Sequence, residues 1–221
     1  MPFSHSSQIS TIVGFAETLK PVSVLDVGTG MGQYGFLLRN SLEFLNLFEI
    51  DGPPGQQQGR QRNRSQWRVT IDGIEGFAGY LTPVHHYAYS RMIVGDALAL
   101  LPEMADGAYE LVIAIDILEH FDTAPGLDFL AHCRRIAKRA ALVSTPKEFH
   151  AQEVEANPLE NHRSVWSQAQ LATAGFTQVL PNADQLWYLR NLGIVALVSA
   201  ILFGLALNYF DKAEANFAED L

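Results

Sequence analysis

The chain has 221 residues, 48% of them hydrophobic and 18% charged, against about 25% charged in an average soluble domain. This composition provides a core and excludes a disordered or fibrous chain, and the length suits one α/β domain with about thirty residues to spare. A single cysteine, Cys133, excludes a disulfide framework and cysteine-rich zinc modules, and a net charge of −9 argues against broad nucleic-acid binding.

In chain order, the opening residues MPFSHSSQIS carry neither a basic leader nor an apolar stretch of signal-peptide length, which predicts a cytoplasmic location. Residues 5–19 read as one helix. Short apolar runs then alternate with amphipathic stretches. The runs are PVSVLDVG (21–28), WRVTIDGIEG (67–76), SRMIVGDA (90–97), YELVIAIDI (109–117) and AALVSTP (140–146). Near-continuous Val/Ile/Leu runs ending in Asp, Gly or Ser/Thr fit buried parallel strands that enter functional loops. Helix-like stretches at 32–47 and 125–139 complete the alternation, so the fold class is α/β, a doubly wound Rossmann-like sheet that is mostly parallel.

Between the first helix and the second strand lies GPPGQQQGRQRNRSQ (52–66), which lacks apolar residues and reads as a flexible insertion. Its arginines Arg60, Arg62 and Arg64, with Arg68, form either a solvated loop or a docking site for an acidic partner or lipid headgroups. A short helix is expected at 164–175. FTQVL (176–180) and QLWYLR (185–190) flank the turn residues PNAD and read as two closing strands. The domain then closes near residue 190. Residues 191–221 follow as an apolar helix and an acidic tail. Within them LGIVALVSAILFGLALNYF (192–210) runs nineteen residues without a charge, and a helix of that length spans about 28 Å, close to the hydrocarbon thickness of a bilayer. It is either a membrane anchor or a helix covered by the core or by a partner subunit, as in a homodimer.

The strongest chemical signal is DVGTGMG, Asp26 to Gly32, which ends the first strand and opens the first long helix. Glycines there allow a tight turn and close approach of a ligand to the backbone, and the helix start adds free amides. The turn alone does not separate a dinucleotide from another nucleoside cofactor.

With its acidic residue two positions before the first glycine, the motif resembles the fingerprint of class I S-adenosylmethionine-dependent methyltransferases. IDGIEGF (71–77), VGDAL (94–98), YELVIAIDILEHF (109–121), LVSTP (142–146) and HRSVWSQAQLATAGF (162–176) follow in that family's order, so the resemblance covers roughly residues 10–190. It implies an S-adenosylmethionine cofactor held by Asp26, Gly28, Gly30, Gly32, Glu75, Asp96, Ala97 and Asp116. Glu75 would grip the ribose hydroxyls, and Asp96 would meet the adenine amine. The acidic lining suits a sulfonium cation, whereas a pyrophosphate prefers positive or neutral surroundings. Plain structural roles stand beside these: Asp26 as a turn cap and Asp96 as the N-cap of the next helix. Glu75 lies 43 residues beyond Gly32, farther than the roughly 20 of a dinucleotide fold, and the insertion accounts for much of the excess.

The methyl acceptor would face the loops after the fourth and fifth strands, which offer Asp116, Glu119, His120, His150, Asn157, Asn161, His162 and Arg163. His120 is the candidate general base, with Asp116 beside it, because a neutral imidazole takes a proton near pH 7; alternatively its ring only bonds Asp116 or a backbone carbonyl. Asp116, Glu119, His120 and His162 also resemble the metal-ligand set of the small-RNA 3′-end 2′-O-methyltransferases, although a metal-free site is the expectation. His85 and His86 read as packing or exposed residues on the opposite edge of the sheet. The expected activity is methyl transfer to an oxygen or nitrogen of a small-molecule, glycan or lipid-linked acceptor, with no nucleic-acid partner. A non-catalytic scaffold and a NAD-binding oxidoreductase are the rival classes, and no catalytic pair for the latter is evident.

Overall fold

The computed structural model describes residues 8–44, 46–148 and 151–180. In chain order these form α1 (Ile9–Leu19), β1 (Ser23–Val27), α2 (Gln33–Glu43), β2 (Phe48–Asp51), β3 (Gln58–Gln61), β4 (Thr70–Glu75), α3 (Pro83–Ala88), β5 (Arg91–Val94), α4 (Ala97–Leu100), β6 (Tyr109–Ile115), α5 (Thr123–Ile136), β7 (Ala137–Ser144) and α6 (Gln168–Thr173). Five strands make one parallel sheet in the order β5-β4-β1-β6-β7, and β2 pairs with β3 as a separate antiparallel hairpin. The expected doubly wound α/β fold is therefore present.

Alternation along the central strands explains why both faces of the sheet are covered. In β6, Leu111, Ile113 and Ile115 enter one apolar cluster with Ile12, Leu38, Ile71 and Tyr89. Val112 and Ala114 point the other way, among Leu118, Phe129, Leu130, Cys133 and Ile136. A strand that buries both faces has no polar positions to spare, which is why these runs are continuous in the sequence. Cys133 is one of the buried side chains of α5, and burial pushes its thiol up to about 12, so it behaves as an apolar residue.

From β1 the chain travels outward through β4 to β5 and then crosses to β6 on the opposite side. The carboxyl ends of β1 and β6 thus flank the point where the winding reverses, the position at which open α/β sheets hold ligands.

The residues expected to form an unstructured insertion carry β3, and β2 precedes them. Glu49 pairs with Arg60 across the hairpin, which aligns the two strands. Arg64 reaches back to the carbonyls of His86 and Tyr89, tying the insertion to the end of α3. The expected strand at 176–180 is not formed: these residues follow the end of α6 without a ladder to β7. An edge strand needs a paired neighbour, and its expected partner, 185–190, lies outside the described residues. So does 192–210; among the described residues no helix is long and apolar enough to cross a membrane.

One buried polar cluster holds α2 to β4. Arg39 is wholly buried, and its guanidinium donates to the carbonyls of Ala88 at 2.8 Å and Val69 at 2.6 Å while lying over the Trp67 ring. Glu43, equally buried, accepts from the Arg68 and Val69 amides and faces Arg39 at 3.6 Å. Removing one member of a buried charge pair strands the other. Arg39→Met should therefore lower unfolding free energy by about 3–5 kcal/mol in urea titrations.

Candidate functional site

The β1–α2 turn owes its shape to three glycines. Gly28, Gly30 and Gly32 adopt φ of 79°, 53° and 85°, a region that residues with a Cβ rarely enter. A Cβ on Gly28 would lie 2.7 Å from Ile117 Cδ1, so the turn also lacks room for one. The Gly28 and Thr29 amides donate to Ile74 O at 2.9 and 3.2 Å, which fixes the turn against the end of β4.

Glu75 ends β4 and is buried beside that turn. Its Oε2 accepts from the Gly30 amide at 2.8 Å and from the Thr29 hydroxyl at 3.4 Å, and its Oε1 accepts from the Phe77 amide at 2.9 Å. Burial raises its pKa, and these hydrogen bonds partly oppose the rise. Asp96 lies after β5; one carboxylate oxygen caps α4 through the Leu98 amide at 2.9 Å, and the side chain is exposed. The expected capping role is thus present, and Asp96 and Ala97 also line the cavity.

A cavity of about 560 Å³ joins these groups, bounded by Gly28, Gly30, Glu75, Asp96, Asp116 and His120 among others. Its size suits a nucleoside-sized ligand. Two expected cofactor residues fall behind it. Gly32 caps α2 in a left-handed conformation. Asp26 is buried and bonded at 2.6 Å by the Tyr89 hydroxyl, which accepts in turn from the Gly35 amide at 3.1 Å. A Cβ on Gly35 would fall 2.1 Å from the Tyr89 ring, so this glycine makes the contact feasible. Asp26 is therefore tied to the first turn of α2, through Tyr89.

Asp116 follows β6 with φ of 51°, an uncommon conformation for a residue other than glycine. Its carboxylate accepts from Gln8 Nε2 at 2.7 Å, and Ser144 Oγ lies 2.8 Å from its other oxygen. The start of α1 thus reaches the cleft through Gln8, while the helix buries Ile12 and Ala16 in the core.

The turn after β6 carries Glu119 and His120. His120 Nδ1 donates to Asn161 O at 3.3 Å, which leaves Nε2 as the lone-pair nitrogen of the neutral ring. Burial lowers the His120 pKa, keeping that ring neutral near pH 7. Glu119 is buried, and burial with help from Asp116 pushes its pKa up to about 7. Its Oε2 has no hydrogen-bond partner among the described residues. Arg163 and Ser164 donate their amides to Glu119 O at 2.8 and 3.1 Å, so the segment after β7 forms a wall over this turn. Trp166, buried against Gly126, pins that wall to the core. Glu119, His120 and His162 present ligand atoms within 4.8 Å of one another. Asp116, expected in the same set, is absent from this group because Gln8 and Ser144 hold its carboxylate. His150 lies outside the described residues.

His85 departs from its expected place. Thr82 and Pro83 start α3 after a short loop from the C-terminal end of β4, and His85, in its first turn, lies against Thr29 of the glycine turn. It is buried, as packing required, yet its Nε2 is 3.2 Å from Thr29 Oγ1. Thr29, Gly35, Tyr89, Gln8 and Ser144 were not legible as site residues. Only Thr29, inside the glycine motif, carried a local signal.

No protein-family model and no curated protein matches this chain. Among solved structures it is similar to a SAM dependent methyltransferase from Archaeoglobus fulgidus, at 16% identity over 76% of this chain and 66% of that one, with a TM-score of 0.47. A SAM dependent methyltransferase from Aquifex aeolicus is 17% identical over 77% of this chain and 83% of that one, TM-score 0.45. An O-methyltransferase family protein from Burkholderia thailandensis is 13% identical over 62% of this chain and 38% of that one, TM-score 0.41. The chain spans less than two thirds of the Archaeoglobus and Burkholderia proteins. These are likenesses of fold.

Burial raises the Asp26 pKa from 3.8 to about 7, the Glu75 charge adding to the effect and the Tyr89 hydroxyl opposing it. A carboxyl that holds its proton more tightly in the folded state stabilises that state below the unfolded pKa. This contribution is lost as pH rises from about 4 to 7. Asp26→Asn should therefore gain stability relative to the natural chain between pH 4.5 and 7.5, on the order of 2–4 kcal/mol. Urea midpoints at the two pH values check this, and an unchanged difference would contradict it.

Proposed function

We propose that this chain is an S-adenosylmethionine-dependent methyltransferase acting on an oxygen or nitrogen of a small-molecule, glycan or lipid-linked acceptor. The observation that carries the reading is the Glu75 carboxylate at the end of β4, locked by the Gly30 and Phe77 amides beside a glycine turn at the switch point. The residues fit the cofactor. A carboxylate that already accepts from Gly30, Thr29 and Phe77 keeps one lone pair, on Oε1, for a ribose hydroxyl. Asp96 and Ala97 border the same cavity where an adenine would lie, and Gly28 borders it where the methionine part would lie. Asp116, Glu119 and Asp122 make this end of the cavity acidic, which favours a cation over a pyrophosphate.

When bound, S-adenosylmethionine supplies an electrophilic methyl group on a sulfonium. The residues of the chain align and deprotonate. Glu75 and the glycine turn set the direction of the donor, which matters because methyl transfer is an in-line displacement. His120 Nε2 accepts the proton of the attacking hydroxyl or amine, its tautomer held by Asn161 O. The segment 151–167 covers the turn after β6 and limits access of water. In this reading residues 1–190 form the catalytic domain, facing the cytoplasm. The uncharged stretch 192–210 either attaches it to a membrane, which would favour a lipid-linked acceptor, or packs against a second subunit.

A second reading rests on the Glu119, His120 and His162 cluster, with a buried carboxylate oxygen that has no hydrogen-bond partner among the described residues. These three residues would hold a divalent cation that lowers the pKa of an acceptor hydroxyl. Dialysed protein titrated with Mn²⁺ or Zn²⁺ decides between a metal-assisted and a metal-free site. Binding near one equivalent that is lost in His162→Ala favours the cation, and no binding leaves His120 as a simple base.

Calorimetric titration with S-adenosylmethionine, S-adenosylhomocysteine and NAD tests the main reading. Both sulfur nucleosides should bind and NAD should not, and Glu75→Ala should weaken them at least about tenfold, as loss of a charge-assisted hydrogen bond requires. Binding undiminished in Glu75→Ala, or preference for NAD, would overturn it.

A further inference from the structure

Behind the glycine turn lies a chain of hydrogen bonds that the proposed reaction does not use. His85 is buried to 1% exposure. Its Nδ1 accepts the Thr82 amide proton at 3.0 Å. A backbone amide donates only to a lone pair, so in the neutral ring the proton sits on Nε2. Nε2 is 3.2 Å from Thr29 Oγ1 and therefore donates to it. With its lone pair occupied in this way, the Thr29 hydroxyl directs its own proton to Glu75 Oε2, 3.4 Å away. The direction of every bond follows from the Thr82 amide.

Packing holds the ring in register. His85 stacks on Tyr89 with ring centroids 5.4 Å apart and planes 17° from parallel. On its other flank, a Cβ added to Gly32 would lie 3.2 Å from His85 Cε1. An aliphatic residue would fill this space equally well if packing were the only task. The two ring nitrogens each meet a polar partner instead.

We propose that His85, acting through Thr29, is a positioning residue that aims the Glu75 carboxylate at the ribose diol of the nucleoside. The inference rests on the reading of Glu75 as the ribose ligand. Thr29 occupies one lone pair of Oε2 and the Gly30 amide another, so the carboxylate cannot rotate without breaking both. His85 fixes the rotamer of the Thr29 hydroxyl and so determines which lone pairs of Glu75 stay available. His85 itself touches no cofactor atom in this account.

The test compares S-adenosylhomocysteine with its 2′,3′-dideoxy analogue, which lacks both ribose hydroxyls, by calorimetry on the full chain. His85→Phe keeps an aromatic ring against Tyr89 and removes both hydrogen bonds. It should weaken S-adenosylhomocysteine about tenfold and change the analogue less than twofold. His85→Gln, which can accept from the Thr82 amide and donate to Thr29, should restore most of the loss. Thr29→Val, the second variant, should reproduce the selective loss where His85→Phe folds poorly. Equal losses on both ligands would show that His85 only supports the fold and would overturn the inference. Undiminished S-adenosylhomocysteine binding in His85→Phe, with binding lost in Glu75→Ala, would overturn it too and leave the cofactor reading standing. Undiminished binding in Glu75→Ala would remove that reading and this inference together.

Discussion

One carboxylate joins the ends of two neighbouring strands. Glu75 leaves β4 and accepts the amide of Gly30, in the turn that leaves β1, while its other oxygen takes the Phe77 amide of its own loop. The Gly28 and Thr29 amides run the opposite way, to Ile74 O. The turn and the strand end therefore support each other, and the geometry of the cleft depends on the pairing. Without glycine at positions 28 and 30 the turn could not adopt its left-handed dihedrals, and the Gly30 amide would not point at Glu75.

The same requirement explains the buried polar side chains behind the cleft. Asp26, His85, Tyr89 and Thr29 are buried to 6% exposure or less and form hydrogen-bonded contacts on the hidden side of the glycine turn. Burying such groups is unfavourable unless each finds a partner. Asp26 receives the Tyr89 hydroxyl, Tyr89 receives the Gly35 amide, and His85 receives the Thr82 amide. The cleft thus has a polar backing that an apolar core would not need, and this backing makes a firm platform for a ligand. On the acceptor side the arrangement differs. Glu119 lacks a partner for Oε2 among the described residues, and its pKa of about 7 places its charge on the edge of physiological pH.

The sheet was legible because the strands are apolar runs ending in a polar or glycine residue: β1, β4, β5 and β6 fall inside the expected segments, and β7 begins three residues before its own, at Ala137, in the stretch read as helix. The glycine turn, Glu75 and Asp96 were legible because backbone constraint and capping chemistry leave local marks. Tyr89 and His85 left none: Tyr89 meets Asp26 and His85 meets Thr29 across 50 or more residues, and periodicity says nothing of such contacts. His85 was assigned to the wrong edge of the sheet because the Thr82–Pro83 helix start was missed, and with it the fact that α3 begins at the ligand-binding edge. The hairpin of β2 and β3 was hidden by its composition. Gln, Gly and Arg give no hydrophobic alternation, and an ion pair and backbone ladder hold the strands instead. Asp116 was expected to bind the nucleoside and to stand beside the general base; its partners Gln8 and Ser144 were not legible, because they are remote in sequence.

The central claim is that Glu75 holds the ribose of a sulfur nucleoside, and a crystal structure of the chain with S-adenosylhomocysteine tests it most directly. The account places a ribose hydroxyl within hydrogen-bond distance of Glu75 Oε1, the adenine beside Asp96 and Ala97, and the sulfur facing His120. A nucleoside bound elsewhere, or one whose ribose faces away from Glu75, would contradict it.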